Sequence, residues 1–109
     1  MVNCIYKIVE TKACRLQFTW YERKNRTNRR KHRISFETAA LVFDDPYLVS
    51  TQDREVEGEL RWQTIGMVKG GQILIVAHTI SESEDEELVR IISARKATPK
   101  ERSIYAQGS

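Results

Sequence analysis

Three arginines in or beside predicted strands are the side chains of this chain best suited to hold a phosphate. Arg61, Arg90 and Arg95 lie in or directly after the segments 61–68 and 88–94, whose apolar residues predict strands. A guanidinium is planar and permanently charged, so it contacts two phosphate oxygens at once. A strand fixes such a group better than a loop does, which makes the three arginines candidate catalytic or substrate-binding groups. The alternative is a structural ion pair; the candidate carboxylates are Glu37, Asp45 and Glu59.

Two histidines are candidates for proton transfer, because the unperturbed pKa of histidine lies near neutral pH. His32 stands in a run of basic residues, which disfavours its charged form and leaves an imidazole able to accept a proton. The alternative is that His32 only caps the end of a helix. His78 lies in an apolar strand on the side of Leu74 and Val76, where the alternative is a hydrogen-bonded core histidine.

The basic residues are concentrated in one segment. The chain has 18 Lys and Arg residues and a formal net charge of +3, and seven of these cations lie in "RKNRTNRRKHR" at 23–33, which contains no acid. The segment lacks Gly and Pro and predicts a helix over 22–32. Such a surface suits an anionic partner, although a helix with a solvated polar face has the same composition. The acidic run "EDEE" at 84–87 indicates a solvated loop.

Length and composition restrict the remaining classes of protein. The 109 residues correspond to a single domain, 1–109, with 40% hydrophobic and 30% charged residues. Apolar runs such as 73–77 are too short to cross a bilayer, and the first residues lack the pattern of a secretory signal, so we expect a cytoplasmic protein. Cys4 and Cys14 stand without a Cys/His cluster, and no carboxylate pair has metal-ligand spacing. Neither a metal nor a cofactor is therefore expected.

The order of the predicted elements indicates an α+β fold. We expect two N-terminal helices, an antiparallel sheet of three to four strands and a C-terminal helix, with the helices packed on one face of the sheet. The predicted helices lie at 22–32, 35–43 and from Pro99 onward. The predicted strands lie at 61–68, 72–80 and 88–94, with a short one at 47–49 and a short strand or extended lead-in at 15–20. "QDREVEGE" at 52–59 predicts a loop.

The C-terminal helix has the strongest start signal in the chain. Thr98 is placed to cap it, Pro99 occupies its first position, and Glu101 can reach back to the cap. In the strand before it, alternation of side chains puts Arg90 and Arg95 on opposite faces, unless a bulge intervenes.

Four segments together resemble the BrnT family of type II toxins. They are 18–45, 58–66, 73–79 and 89–105, so the resemblance covers about residues 18–105 as a BrnT-like toxin core. Its most specific pieces are "KH" at 31–32 followed by "SFETA", and "RIISARKAT" from Arg90. The chain departs from the family pattern at Tyr21, where Asp is usual, and at 80–82, where many members carry a basic residue. Residues 1–14 lie outside the resemblance.

The resemblance implies a RelE-like fold and a ribonuclease that cleaves RNA without a metal. The catalytic candidates that follow are Arg61, Arg90, Arg95, His32 and His78, and the candidate RNA-binding residues are Lys24, Arg29, Lys31 and Lys96. The resemblance also implies partners: an RNA substrate, a BrnA-like ribbon-helix-helix antitoxin, and operator DNA bound only through the toxin–antitoxin complex. No membrane is involved.

The competing interpretation is a binding module without catalysis that uses the basic helix at 22–33. A purely electrostatic binder needs its cations on the outside of a helix, whereas an enzyme needs cations anchored on the sheet beside a proton-transfer group. This chain has both kinds of cation, so only the resemblance favours the enzyme.

Overall fold

The computed structural model of the protein describes residues 4–10, 15–83 and 86–108, and confirms an α+β fold. Within these ranges there are six strands and three α-helices. The elements are β1 (Cys4–Glu10), β2 (Arg15–Tyr21), α1 (Glu22–His32), α2 (Phe36–Ala40), β3 (Val49–Val56), β4 (Glu59–Met67), β5 (Ile73–Ser83), β6 (Glu86–Lys96) and α3 (Pro99–Gly108). A short 3-10 turn, Leu41–Asp44, extends α2. None of the described helices is long and apolar enough to cross a membrane.

The sheet is larger than predicted and mixed in direction. The strand order is β1-β2-β6-β5-β4-β3, and β2 pairs with β6 in parallel while all other described pairs are antiparallel. The prediction of an antiparallel sheet of three to four strands is therefore wrong. The chain before α1 supplies two strands, and the second of them, β2, confirms the extended segment predicted at 15–20. The chain then passes through the helices to the opposite edge of the sheet, and β6, the last strand, pairs with β2 in parallel.

Strand β3 replaces the loop predicted at 52–59. It is an edge strand with six consecutive exposed residues, so it lacks the alternation of apolar and polar residues that identifies a half-buried strand. Its turn to β4 has Glu57 at φ 51° and Gly58 at φ 79°. Two successive positive φ values are typical of the tight type I′ hairpin, so the glycine belongs to a hairpin and not to a longer loop. Of the predicted acidic loop, residues 84 and 85 lie outside the described ranges, and Glu86 and Glu87 begin β6.

Two buried asparagines attach α1 to the sheet, because this helix has no apolar residue to bury. Asn28 donates to the carbonyl oxygens of Ile34 (2.9 Å) and Ala94 (2.8 Å) and accepts from the Ala94 N–H (3.2 Å). Asn28 thus satisfies both the N–H and the C=O of Ala94. These groups have no partner in β2, because the pairing of β6 with β2 ends at Arg90. One turn earlier, Asn25 accepts from the backbone N–H of Phe36 (2.9 Å). The predicted helix is confirmed, and its thin packing face consists of amides.

The second helix is shorter than the predicted 35–43. Ser35 caps it as expected and accepts from the Thr38 N–H at 3.1 Å, but α-helical geometry ends at Ala40. The following turn passes very close to β4: a Cβ built on Gly66 would lie 2.7 Å from the Val42 Cγ1 and 3.1 Å from its carbonyl oxygen. Only glycine permits this approach, which holds the turn against the sheet.

The core has two parts on opposite faces of the sheet. The larger one packs α2 and the turn after it against one face through buried residues such as Phe18, Phe36, Leu74 and Val76, and α1 lies on the same face, held by its two buried asparagines. The smaller one consists of Ile65, Ile75 and Tyr105. Since Ile75 lies between Leu74 and Val76 in β5, it points to the other face, and α3 packs there. The prediction of helices on one face is therefore wrong, because β4 and β5 carry a second apolar stripe.

Two sets of contacts hold α3 in place. The predicted capping box is present, with the Thr98 N–H donating to Glu101 (2.9 Å) and the Glu101 N–H donating to the Thr98 hydroxyl (3.3 Å). At the other end, the Tyr105 hydroxyl donates to Asp45 Oδ2 at 2.7 Å, and the same oxygen accepts from the Met67 N–H. Asp45 therefore joins the turn after α2, the end of β4 and α3.

Candidate functional site

A bulge between β5 and β6 decides which arginines share a face. Ala77 pairs with Ser93 but the next residue, His78, pairs with Ile91, so one residue of β6 is left over. Beyond this point the alternation of side chains is reversed. Arg95 pairs with Ile75 and Arg90 with Thr79, and both pairs lie on the face that carries α3. Arg90 and Arg95, expected on opposite faces, therefore point to the same one.

Arg90 forms an ion pair with Glu59 across the intervening strand. The Arg90 Nη2 lies 2.6 Å from Glu59 Oε1, and the side chains are 29% and 41% exposed. Because β4 and β6 are both neighbours of β5, the two long side chains meet above it. The pair is open to solvent, so a ligand can reach both the cation and the carboxylate.

Arg61 lies on the same face as Glu59, two residues further along β4. Its Nε is buried and has no hydrogen-bond partner among the described residues. A buried N–H without a partner costs about 1–3 kcal/mol, so it is rare in native structures. In the antiparallel pair of β4 and β5, Trp62 is the register partner of His78. Arg61, one residue earlier in β4, therefore stands beside Thr79, one residue later in β5.

Two threonines complete a polar row across this face. Thr79 of β5 and Thr19 of β2 are the register partners of Arg90 on either side, and both are buried. The Thr19 hydroxyl, like the Nε of Arg61, is buried without a hydrogen-bond partner in the described part of the chain. Sequence reasoning missed both threonines, because each stands in an apolar strand where threonine is an ordinary strand residue.

Arg95 lies on the same face but has a structural partner. Its guanidinium donates two hydrogen bonds to the Glu101 carboxylate in a bidentate pair, at 2.8 and 2.9 Å. Hydrogen bonds from Arg95, together with those of the cap, lower the pKa of Glu101 to about 2. Glu101 thus both caps α3 and binds it to β6, which favours the ion-pair alternative for Arg95, with a carboxylate that the sequence had not suggested.

His78 lies on the opposite face, inside the larger core. It is fully buried; its Nε2 lies 2.7 Å from the Thr64 hydroxyl, and its ring packs edge-on against Phe43 with centroids 5.0 Å apart. Thr64 in turn lies 2.6 Å from the hydroxyl of Ser50. Burial lowers the pKa of His78 to about 4, against the opposing effect of the Thr79 carbonyl. This geometry favours the hydrogen-bonded core histidine.

The remaining candidates are also separated from Arg61 and Arg90. His32 ends α1 and is partly exposed, and α1 packs on the core face of the sheet. The candidate RNA-binding residues Lys24, Arg29 and Lys31 are exposed on the same helix. Lys96 is exposed at the end of β6 and pairs with Leu74, which also places it on the core face. The structure therefore has two cationic surfaces, one on each face of the sheet.

The described residues contain no group of three His, Cys, Asp or Glu side chains placed to hold a metal ion. The Tyr105 hydroxyl donates to Asp45, and this hydrogen bond raises the pKa of Tyr105 to about 12. Desolvation would raise the pKa of Asp45, but its hydrogen bonds from Met67, Tyr105 and Tyr47 outweigh burial and lower it.

The fold and this face define a small α+β protein with anchored arginines on an open sheet surface. A family model described as "Ribonuclease toxin, BrnT, of type II toxin-antitoxin system" matches residues 20–101. The chain belongs to the BrnT family of ribonuclease toxins, as its sequence motifs indicated. A crystal structure of the Brucella abortus ribonuclease toxin BrnT is similar, with a TM-score of 0.49 and 23% sequence identity, covering 72% of this chain and 92% of that chain. Comparison with curated proteins finds no match.

The burial of His78 predicts a defined loss of stability in mild acid. The pKa of His78 is about 4 in the folded protein against 6.5 when unperturbed, so the unfolded chain takes up the proton first as the pH falls. Stability is full above pH 6.5 and declines toward pH 4, by about 3 kcal/mol in total. Urea unfolding at pH 7, 6 and 5 should show this decline, and His78→Gln should remove most of it. An unchanged pH dependence in the variant contradicts the assignment.

Proposed function

We propose that this protein cleaves RNA on the open sheet face, with Arg61 and Arg90 holding the scissile phosphate and Glu59 acting as the general base. The observation that carries the proposal is the cluster itself. An accessible Glu59–Arg90 pair lies beside an arginine whose buried Nε has no partner in the described residues. Charged groups anchored on strands and left incompletely paired are typical of a preorganised site.

The chemistry that fits these groups is transfer of the phosphodiester to the neighbouring ribose hydroxyl. Glu59 takes the proton of the 2′-hydroxyl, the 2′-oxygen bonds to phosphorus, and the bond from phosphorus to the 5′-oxygen breaks. The leaving 5′-oxygen gains a proton from water in the open site. The products are a 2′,3′-cyclic phosphate and a 5′-hydroxyl. Arg61 and Arg90 stabilise the additional negative charge on the phosphorane, so the positive charge comes from the protein and not from a metal ion.

Arg95 has a different role in this proposal. Its contacts with Glu101 and the Lys96 carbonyl hold α3 beside the open face, so it shapes the end of the site without touching the phosphate. Its side chain is 41% exposed, and the pair therefore contributes at most about 1 kcal/mol to stability.

Cleavage of RNA should proceed in the presence of excess chelator. Purified protein incubated with a mixed-sequence, single-stranded RNA and EDTA should produce fragments that carry 2′,3′-cyclic phosphate and 5′-hydroxyl ends. The ends can be identified by mass spectrometry and by resistance of the 3′ end to ligation. If activity disappears in EDTA and returns with Mg²⁺, the metal-independent mechanism is wrong.

Variants of the ion pair should separate the base from the phosphate contact. Glu59→Gln removes the base but keeps the shape, and should lower the cleavage rate by about 10²-fold or more with RNA binding retained. Arg90→Gln should lower the rate by about 10²–10³-fold and weaken RNA binding as well. Glu55→Gln, an exposed acid on the neighbouring strand, is the matched control and should behave like the wild type.

The melting temperature of each variant shows whether it still folds. A fully active Glu59→Gln protein would mean that Glu59 only positions Arg90. Loss of folding in both variants would mean that the pair is structural.

We also propose the partner of this toxin in more detail than its family states. A type II toxin has an antitoxin, and the antitoxin proposed for this chain is a BrnA-like ribbon-helix-helix protein. An intracellular ribonuclease is harmless only while its site is covered, and the open face with Arg61 and Arg90 is the surface that must be covered. Operator DNA is bound through the complex, since a ribbon-helix-helix protein reads DNA with a strand pair in the major groove.

Co-expression with the product of the neighbouring gene should yield a stable complex at physiological salt. The complex should not cleave RNA and should bind operator DNA more tightly than the toxin alone does, as measured by gel shift and by digestion assays on the same preparations. A neighbour that does not co-purify, or that binds without suppressing cleavage, contradicts the proposed pair.

A further inference from the structure

The outward surface of α1 is a dense cationic surface that the cleavage site does not use. Seven Lys and Arg side chains between 23 and 33 are exposed, while Asn25 and Asn28 turn the opposite side of the helix toward the sheet. Within the described residues none of these seven cations forms an ion pair. We call this set the α1 surface; its members are Arg23, Lys24, Arg26, Arg29, Arg30, Lys31 and Arg33.

The acids next to the α1 surface are directed elsewhere. The Asn25 amide donates to Glu37 at 3.2 Å and to Glu22 at 3.4 Å, and Glu22 also accepts from the Trp20 indole N–H. Neither carboxylate forms an ion pair with the α1 surface, so these cations have no direct acidic partner among the described residues. Like charges recur at spacings of three and four, as in Arg26, Arg29, Arg30 and Arg33, which destabilises an isolated helix.

The two ends of the helix add to this evidence. Arg23 and Lys24 lie in the first turn, where the helix dipole disfavours cations. Arg33 follows the last turn in the left-handed conformation, at φ 62°, a position that favours glycine or asparagine. Beyond it, Arg29 and Arg33 line an open cleft of about 570 Å³ together with Ser35, Glu37 and Thr38. Arg23, Lys24 and Arg33 thus occupy positions that do not favour folding, whereas Arg29, Arg30 and Lys31 lie in the last turn, where the helix dipole favours cations.

The composition of the α1 surface indicates its ligand. It has no Phe, Tyr or Trp on which unpaired bases could stack, and its two amides are buried and cannot read base edges. It also has no apolar residue to form the dry centre of a protein interface. Only contacts with phosphates remain. Ten residues of helix extend about 15 Å, a length over which duplex DNA carries roughly nine phosphate charges, so seven cations match a double-helical backbone.

We infer that the α1 surface binds the phosphate backbone of double-helical RNA, independently of sequence, as a second site on the face of the sheet opposite to the cleavage site. The choice of RNA over other polyanions rests on the proposed function, whereas the site itself rests on the geometry of α1. Since the sheet separates the two surfaces, the unpaired strand at Arg61 and Arg90 and the duplex on α1 are different segments of the RNA. The second site would therefore favour substrates in which an unpaired segment adjoins a helix.

The test is direct binding of a labelled, blunt-ended RNA duplex of 20 base pairs, measured by fluorescence anisotropy at several salt concentrations. The triple variant Arg23→Gln, Lys24→Gln and Arg26→Gln should raise the Kd at least tenfold. The slope of log K against log salt should fall by about 2 to 3, because three phosphate contacts are lost. Glutamine is a good helix former, and these positions lie in the half of the helix where cations oppose the dipole, so folding should persist.

The matched control is the triple variant Arg54→Gln, Lys69→Gln and Lys100→Gln, which removes the same charge from exposed positions on β3, the β4–β5 turn and α3. It should bind the duplex within twofold of the wild type. Equal weakening by both variants would show a response to net charge alone and would overturn the site. An α1 variant that binds the duplex like the wild type would also overturn the site. Displacement of the duplex by a poly-glutamate peptide at equal charge concentration would overturn it too, because that result would assign the α1 surface to an acidic protein. Binding is read without cleavage, so an inactive wild type would refute the proposed function and leave this measurement intact.

Discussion

The pairing of β5 with β6 is the constraint on which the rest of the molecule depends. These two strands lie at the centre of the sheet, and the residue left over between Ser93 and Ile91 reverses the alternation of side chains within β6. With a regular ladder, either Arg90 or Arg95 would point into the core among residues such as Leu74 and Val76. The bulge lets both ends of β6 bury apolar residues on one face and present arginines on the other. A single extra residue thus allows one strand to serve the core and the site together.

A second constraint follows from the polarity of α1. A helix without apolar residues gains nothing from hydrophobic burial, so its attachment relies on hydrogen bonds that must all be satisfied. Asn28 and Asn25 meet this requirement by satisfying backbone groups of Ala94, Ile34 and Phe36. Because two amides suffice to hold the helix, every other position is free to carry charge. The same solution explains how so basic a segment remains helical and ordered against the sheet.

The sequence predicted those features that depend on local interactions. The cap of α3 at Thr98 and Glu101 and the extent of α1 follow from signals within a few residues. The features it did not predict depend on pairing between distant segments. Nothing local marks the bulge, because Ile92 fits either face, and β3 has only polar residues between Val49 and Val56, since its edge position leaves them exposed. α3 packs on the face of the sheet that carries a second apolar stripe, Ile65 and Ile75. This stripe becomes visible only when β4 and β5 are paired.

The candidate site shows the same division between local and distant information. The arginines could be identified from the sequence because their residue type determines their chemistry, and Glu59 was among the candidate carboxylates for an ion pair, but Glu101 was not. Glu59 and Glu101 are 31 and 6 positions from the arginines they contact. The two pairs differ as a candidate functional site differs from a structural ion pair. Glu101 also accepts from the Thr98 N–H at the start of α3, whereas Glu59 has no second partner in the described residues, which in the proposed mechanism allows it to exchange Arg90 for a substrate hydroxyl. In the proposed mechanism Arg90 is therefore the arginine that responds to a ligand, whereas Arg95 remains with Glu101. A partner that neutralises only the basic helix would leave this responsive pair uncovered, because the whole thickness of the sheet lies between them.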